Sequence, residues 1–221
     1  MGYRKTIIPE TFLLENIYPM PAKTIIFDFG GVLVDWNPRY LYKKIFSSET
    51  EMEWFLSNVC TPEWNQAMDA GKPFAVGIAE LCEQFPGWEA QIHAYYDRWP
   101  EMLGGEITSS VGILSELKAG GYRIYGLTNW SAETIPLAYS RFSFFQQMNG
   151  IVVSGEEKVI KPDPEIFRIL LKRYHLKPED CIFIDDNPEN ITVASELSID
   201  SIHFTDPEML LNELRKRGVL S

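Results

Sequence analysis

The stretch Thr24-Ile25-Ile26-Phe27-Asp28-Phe29-Gly30-Gly31-Val32 is the most informative part of this chain. Residues 24–27 form a short, continuous apolar run, which is typical of a strand covered on both faces of a parallel sheet. An acidic residue and two glycines follow this run almost at once. Further apolar runs occur at residues 123–127, 151–153 and 181–184 and, less clearly, at residues 201–204. These runs are the candidate strands of a single sheet.

Helical segments separate the candidate strands. Residues 111–119 carry apolar side chains at helical spacing and end at Gly120-Gly121, a usual way to stop a helix. Asp163-Pro164, Asn187-Pro188 and Asp206-Pro207 each place a capping residue before a proline, as many helices begin. This alternation predicts an α/β fold with a doubly wound, Rossmann-like parallel sheet.

One long segment interrupts the alternation. Residues 36–106 contain no convincing strand pattern, hold most of the tryptophans, and show helical patterns near residues 38–46, 51–59 and 73–84. We interpret this segment as an all-helical insertion between the first two strands of the core. The predicted organisation is then a core of residues 23–35 and 107–221, a helical domain of residues 36–106, and an N-terminal extension of residues 1–22.

Composition restricts the class of function. Of the 221 residues, 45% are hydrophobic and 23% are charged, as in ordinary globular proteins. A net charge of -11 disfavours binding to nucleic acid or to anionic membranes, and no apolar run is long enough to span a bilayer. Three cysteines without paired spacing fit reduced thiols. We expect a cytoplasmic protein that acts on a small molecule, with oligomeric state left open.

Polar residues follow four of the candidate strands, at the ends where doubly wound sheets bind ligands. They are Asp28, Thr128-Asn129, Lys161 and Asp185-Asp186. A carboxylate can attack phosphorus and form an aspartyl-phosphate, and paired carboxylates supply the hard oxygen ligands that Mg²⁺ prefers. Lysine and threonine can hold phosphoryl oxygens. The set therefore predicts a site that neutralises an anionic substrate inside an acidic protein.

The order of these residues resembles that of the haloacid dehalogenase superfamily, from about Lys23 to the end of the chain. The resemblance implies that Asp28 is the nucleophile and that the helical insertion is a cap. It further implies that the transferred phosphoryl group binds to Thr128, Asn129 and Lys161. The metal ligands that it implies for Mg²⁺ are Asp28, the main-chain carbonyl of Gly30, Asp186 and, in an assisting role, Asp185.

One position departs from the pattern of most phosphatases in that superfamily. They have a second aspartate, the general acid and base, two residues after the nucleophile, where this chain has Gly30. Sugar-phosphatase-like members with a helical cap, including glucose-1-phosphatase-like ones, also carry glycine there. The leading hypothesis is a Mg²⁺-dependent phosphomonoester hydrolase that acts on a small phosphorylated metabolite, with a sugar phosphate favoured. Asp35 is a distant candidate for the missing acid.

Two other functions fit part of the pattern. A 2-haloacid dehalogenase also uses an aspartate nucleophile without the second aspartate, but it needs no metal, and the retained pair Asp185-Asp186 favours the phosphatase. The other alternative is a catalytically weakened scaffold that binds a ligand or a partner through its cap. Within the insertion, we expect Trp36 and Trp64 to influence substrate choice more than stability.

Overall fold

The computed structural model describes residues 24–221, so the predicted extension of residues 1–22 lies outside the described part. A parallel sheet forms the centre of the fold, with strand order β5-β4-β1-β6-β7. Its strands are β1 (Thr24–Phe27), β4 (Arg123–Thr128), β5 (Gly150–Val153), β6 (Cys181–Asp185) and β7 (Asp200–His203). All five predicted strands and the α/β fold class are confirmed.

The register of the sheet brings the ends of the strands together. Phe27 at the end of β1 is opposite Gly126 of β4 and Ile184 of β6. The residues that follow these positions therefore emerge at one edge. Each β1 residue is fully buried, because helices cover both faces of the sheet.

Helices pack on both faces of the core sheet. They are α6 (Thr108–Ala119), α7 (Ile135–Arg141), α8 (Ser154–Glu157), α9 (Pro164–Arg173), α10 (Pro188–Glu196) and α11 (Pro207–Lys216), with short 3₁₀ turns at Ser143–Gln147 and Pro178–Asp180. Asp163, Asn187 and Asp206 cap their helices as predicted, since each side chain accepts a hydrogen bond from a main-chain N–H of the first turn. Within residues 24–221, no helix combines the length and the apolar character needed to cross a membrane.

The expectation that residues 36–106 contain no strand is wrong. Strand β3 (Leu103–Glu106) pairs antiparallel with β2 (Val34–Trp36) and forms a ribbon through which the chain enters and leaves the helical insertion. The sequence gives no strand signal at this point because it contains Gly104 and Gly105, and glycine has a low strand propensity. Glycine at position 104 leaves room for the side chain of Asp35, since a Cβ there would collide with the Asp35 carboxylate.

Five helices make up the insertion, rather than the three that the helical patterns indicated. They are α1 (Arg39–Tyr42), α2 (Glu49–Asn58), α3 (Pro62–Asp69), α4 (Phe74–Gln84) and α5 (Glu89–Asp97), followed by a 3₁₀ turn at Trp99–Met102. Thr61 caps α3 ahead of a proline, so the same start signal that identified α9, α10 and α11 also marks this helix. The boundaries of the insertion as a separate domain stay a prediction.

Trp64 is partly buried and packs against the apolar core. Its indole N–H donates a hydrogen bond to the carbonyl of Gly77 at 3.2 Å. Its ring packs edge-on against Tyr95, with the ring centroids 4.9 Å apart, and against Phe74 at 6.0 Å. These contacts join α3, α4 and α5, which gives Trp64 a structural role and argues against a direct part in substrate choice.

Replacing Trp64 with alanine should therefore lower the free energy of unfolding by about 3 kcal/mol, because the change leaves a cavity among three helices. Chemical denaturation followed by circular dichroism measures this loss. The control is Trp54→Ala, at a residue that is 45% exposed, where a smaller loss is expected. Equal losses in the two variants would contradict the structural role of Trp64.

Candidate active site

Three carboxylates and one ammonium group meet at the carboxyl edge of the sheet. Asp28 follows β1, Asp185 ends β6, and Asp186 comes next in the chain. Oxygens of these three carboxylates lie within 4.8 Å of one another. Lys161 enters from the loop before α9 and lies between two of them. The structure thus brings together the predicted nucleophile, the predicted lysine and both acids of the predicted metal pair.

Lys161 holds this group of charges together. Its side chain is 1% exposed, and its Nζ lies 2.9 Å from Oδ1 of Asp28 and 2.6 Å from Oδ2 of Asp185. Nζ also donates a hydrogen bond to the carbonyl of Leu127 at 2.9 Å. Burial by itself would lower the pKa of Lys161, but the attraction of the two carboxylates outweighs it and raises that pKa. Lys161 therefore stays a cation.

Asn129 positions this lysine. Its side-chain carbonyl accepts a hydrogen bond from the N–H of Lys161 at 2.8 Å, and its amide donates to the carbonyl of the same residue at 2.9 Å. Asn129, which the sequence analysis predicts to be a phosphate ligand, is thus hydrogen-bonded to the main chain of Lys161. Contact between Asn129 and phosphate stays a prediction.

Thr128 fits the role of a phosphate ligand. It is the last residue of β4 and is almost completely buried. Its Oγ1 has no hydrogen-bond partner within residues 24–221. An unpaired buried hydroxyl costs free energy, so a ligand oxygen at this position would satisfy it.

Burial governs the protonation of Asp28. Desolvation raises its pKa, the charge of Lys161 lowers it, and the charges of Asp185 and Asp186 raise it again, to about 7. The carboxylate also accepts a hydrogen bond from the N–H of Phe29 at 2.7 Å. A nucleophile must be ionised, so a further positive charge at this edge would favour the reactive form.

The two acids of the pair differ in what surrounds them. Both oxygens of Asp185 accept hydrogen bonds within the protein, from Lys161, from the N–H of Asn187 and from the side chain of Asn190. Asp186 is exposed. Asp185 therefore orients its neighbours, whereas Asp186 has its carboxylate available to a cation.

The charges of the group fit a divalent cation. Three carboxylates and one ammonium leave an excess of two negative charges. All three acids offer the oxygen ligands that suit Mg²⁺. Gly31 makes room for Asp186, since a Cβ at position 31 would collide with that carboxylate, and its φ of 74° favours glycine. Coordination by the carbonyl of Gly30 stays a prediction.

A cavity of about 110 Å³ is bordered by Gly30 and Asn129, from the loops that follow β1 and β4. It opens between the core and the insertion, and its walls combine aromatic rings with polar side chains. The lining residues are Gly30, Trp36, Asn65, Asp69, Phe74, Trp99, Asn129, Trp130 and Thr134. Trp36 is one of the aromatic residues of this wall, so its predicted influence on substrate choice keeps a structural basis.

Sequence reasoning missed Asn65 and Asp69, which reach the cavity from α3. They belong to no motif, and only the docking of the insertion onto the core brings them to this site. Asp35, the residue proposed for the missing acid, does not line this cavity within the described part of the chain. Its carboxylate instead accepts a hydrogen bond from the hydroxyl of Tyr40 at 2.8 Å.

Comparison with known proteins identifies the family. The family model for haloacid dehalogenase-like hydrolases matches residues 22–197, which is most of the chain. The chain belongs to this family. The resemblance stated from the motifs and the assignment to the hydrolases are therefore confirmed.

Two curated relatives are similar over nearly their full length. The sesquiterpene phosphatase of Aspergillus oryzae is 27% identical over 195 residues, which cover 88% of this chain and 95% of that protein. The D-ribitol-5-phosphate phosphatase of Bacteroides thetaiotaomicron is 23% identical over 190 residues, which cover 81% and 90%. Among solved structures, the magnesium complex of an HAD family enzyme from Bacteroides thetaiotaomicron has a TM-score of 0.66 at 22% identity, covering 84% of this chain and 94% of that one.

The contrast between the two acids gives a paired prediction. Asp186→Asn should weaken Mg²⁺ binding by at least about tenfold with little effect on stability, because it removes an exposed ligand. Asp185→Asn should lower the free energy of unfolding by about 3 kcal/mol, because it removes a buried partner of Lys161. Calorimetric Mg²⁺ titration and chemical denaturation of both variants measure these effects. The reverse pattern would show that Asp185 is the principal ligand.

Proposed function

We propose that this protein is a Mg²⁺-dependent phosphomonoester hydrolase in which Asp28 attacks the phosphorus of a small phosphorylated metabolite. The observation that carries this proposal is the buried ammonium of Lys161 between Asp28 and Asp185, with Asp186 beside them. Such an arrangement suits a substrate whose anionic group enters next to an anionic nucleophile. Asp28, which directly follows the first strand, is also the nucleophile that the family motif predicts.

The reaction would proceed in two steps through a covalent intermediate. An oxygen of Asp28 forms a bond to phosphorus while the bond from phosphorus to the leaving oxygen breaks. Water then attacks the phosphorus of the aspartyl-phosphate and releases Asp28 and inorganic phosphate. Throughout, Lys161 and Thr128 hold the non-bridging oxygens and stabilise the charge that develops on them.

Mg²⁺ bound by Asp28, Asp186 and the carbonyl of Gly30, with Asp185 assisting, would supply charge neutralisation to the substrate and the nucleophile. The excess of two negative charges supports this role. In a 2-haloacid dehalogenase, Asp28 would attack carbon instead of phosphorus. That reaction would need no divalent cation to neutralise the excess negative charge. The available carboxylate of Asp186 therefore favours the phosphatase.

A sugar or polyol phosphate is the substrate class we favour. The cavity is lined by aromatic residues together with Asn65, Asp69 and Thr134, a combination that suits a ligand with hydroxyl groups on an apolar frame. The relative named for D-ribitol-5-phosphate supports this class. The relative named for a sesquiterpene supports a hydrophobic leaving group instead, so a substrate panel should include both kinds.

Asp28→Asn should abolish hydrolysis while preserving the fold, because the amide has nearly the same shape as the carboxylate but is a poor nucleophile. Release of inorganic phosphate from aryl, sugar and prenyl phosphates, with Mg²⁺ and with a chelator, tests the proposal. We expect wild-type activity that disappears with the chelator. Asp35→Asn, which changes a carboxylate outside the site, is the matched control and should retain activity.

The alternatives predict different results in the same assays. Undiminished hydrolysis of a 2-haloacid in excess chelator would support a dehalogenase and contradict the proposal. A folded wild-type protein that binds substrates but does not turn over any member of the panel would support a weakened scaffold. Retention of a tenth or more of the activity by Asp28→Asn would show that another group is the nucleophile.

A further inference from the structure

The proposed reaction leaves one proton unassigned. When the bond from phosphorus to the leaving oxygen breaks, that oxygen carries negative charge until it receives a proton. Gly30 has no side chain, and the carboxylate of Asp35 is bound to Tyr40. If a side chain supplies this proton, it must come from another part of the chain.

Asp69 is the candidate for such an acid. It is the last residue of α3, and it lines the same cavity as Gly30 and Asn129. Its carboxyl group comes from the insertion, whereas Gly30 and Asn129 belong to the loops that follow β1 and β4. The wall of one cavity thus contains both a carboxylic acid residue of the insertion and the glycine at which the nucleophile loop lacks an acid.

Hydrogen bonds fix Asp69 against the core. Its main-chain carbonyl accepts a hydrogen bond from Oγ of Ser154 at 2.6 Å, and the same Oγ accepts one from the N–H of Trp130 at 2.9 Å. Nearby, the N–H of Phe74 donates to the carboxylate of Glu133 at 2.8 Å. Asp69 is therefore held at the carboxyl edge of the sheet by residues that follow β4 and β5.

The surroundings of the carboxyl group suit proton transfer. The side-chain amide of Asn65 donates to Oδ2 of Asp69 at 2.9 Å, and its carbonyl accepts from the hydroxyl of Tyr95 at 2.9 Å. Burial raises the pKa of Asp69 to about 7, although the N–H of Ser131 opposes the rise. A carboxyl group with a pKa near neutrality can donate a proton in one step and accept one in the next.

We propose that Asp69 is the general acid and base of the reaction, supplied by the insertion in place of a side chain at position 30. In the first step its proton moves to the leaving oxygen as the phosphorus–oxygen bond breaks, and Asp69 becomes a carboxylate. In the second step that carboxylate takes a proton from the water that attacks the aspartyl-phosphate. Each turnover then returns Asp69 to its protonated form. This inference rests on the proposed phosphatase function.

The test compares leaving groups in Asp69→Asn, which keeps the size of the side chain but removes its acidity. We expect kcat/KM to fall by about 10²- to 10⁴-fold for an alkyl phosphate, whose leaving oxygen needs a proton. For an aryl phosphate such as 4-nitrophenyl phosphate, whose leaving group is stable as an anion, kcat/KM should change little. Asp97→Asn, an exposed acid at the end of α5 in the same insertion, is the control and should alter neither value.

A second variant tests whether Asp69 and position 30 serve one role. A Cβ at Gly30 meets no described heavy atom within 4 Å, and Gly30 is not among the glycines with positive φ, so Gly30→Asp fits the backbone. This change should raise the alkyl-phosphate kcat/KM by a larger factor in Asp69→Asn than in the wild type. Equal factors in both backgrounds would overturn the inference.

Failure of the inference differs from failure of the proposed function. If the wild type hydrolyses aryl phosphates with Mg²⁺ but Asp69→Asn loses the same factor on aryl and alkyl phosphates, or loses none, Asp69 is not the acid and the phosphatase stands. If the wild type hydrolyses no phosphate ester, the proposed function itself fails, and the proton-transfer role of Asp69 is overturned with it.

Discussion

The candidate site depends on the ion pairs that the buried ammonium group of Lys161 forms. A charge this deeply buried is costly unless it is paired, and Lys161 is paired with both Asp28 and Asp185. The same pairing holds together two carboxylates that would otherwise repel each other. The side chain of Asn129 is hydrogen-bonded to both the main-chain N–H and the main-chain carbonyl of Lys161. The loop after β4 therefore sets the position of the lysine charge. Three loops from three parts of the chain are thereby fixed relative to one another.

This arrangement explains how a protein with a net charge of -11 can accept an anion. Attraction at long range would favour cations, so compensation must be local. Lys161 supplies one positive charge, and the hydroxyl of Thr128, which has no partner within residues 24–221, can supply a donor. The remaining excess of negative charge suits the divalent cation that we propose. The acidic surface and the proposed anion-binding site are therefore compatible.

The sequence predicted the core well because its signals are local. Apolar runs located the five strands, and capping residues before prolines located three of the core helices, α9, α10 and α11. The motif residues followed because parallel strands end at one edge. Strand β3 escaped prediction because its glycines disfavour a strand and only pairing with β2 forms it. Asp69 and the contact of Asn129 with Lys161 escaped because they depend on the docking of distant segments, which no local pattern records.

The insertion and the core together form the cavity, so the chemistry of the leaving group depends on both. The central claim concerns the core alone, namely that Asp28 attacks phosphorus and forms a covalent intermediate. The stereochemistry of transfer at phosphorus tests this claim most directly, using a substrate made chiral at phosphorus with oxygen isotopes and a phosphoryl acceptor in place of water. Two successive displacements predict retention of configuration. Inversion would mean that the acceptor attacks phosphorus in a single step, and the account of Asp28 would be wrong.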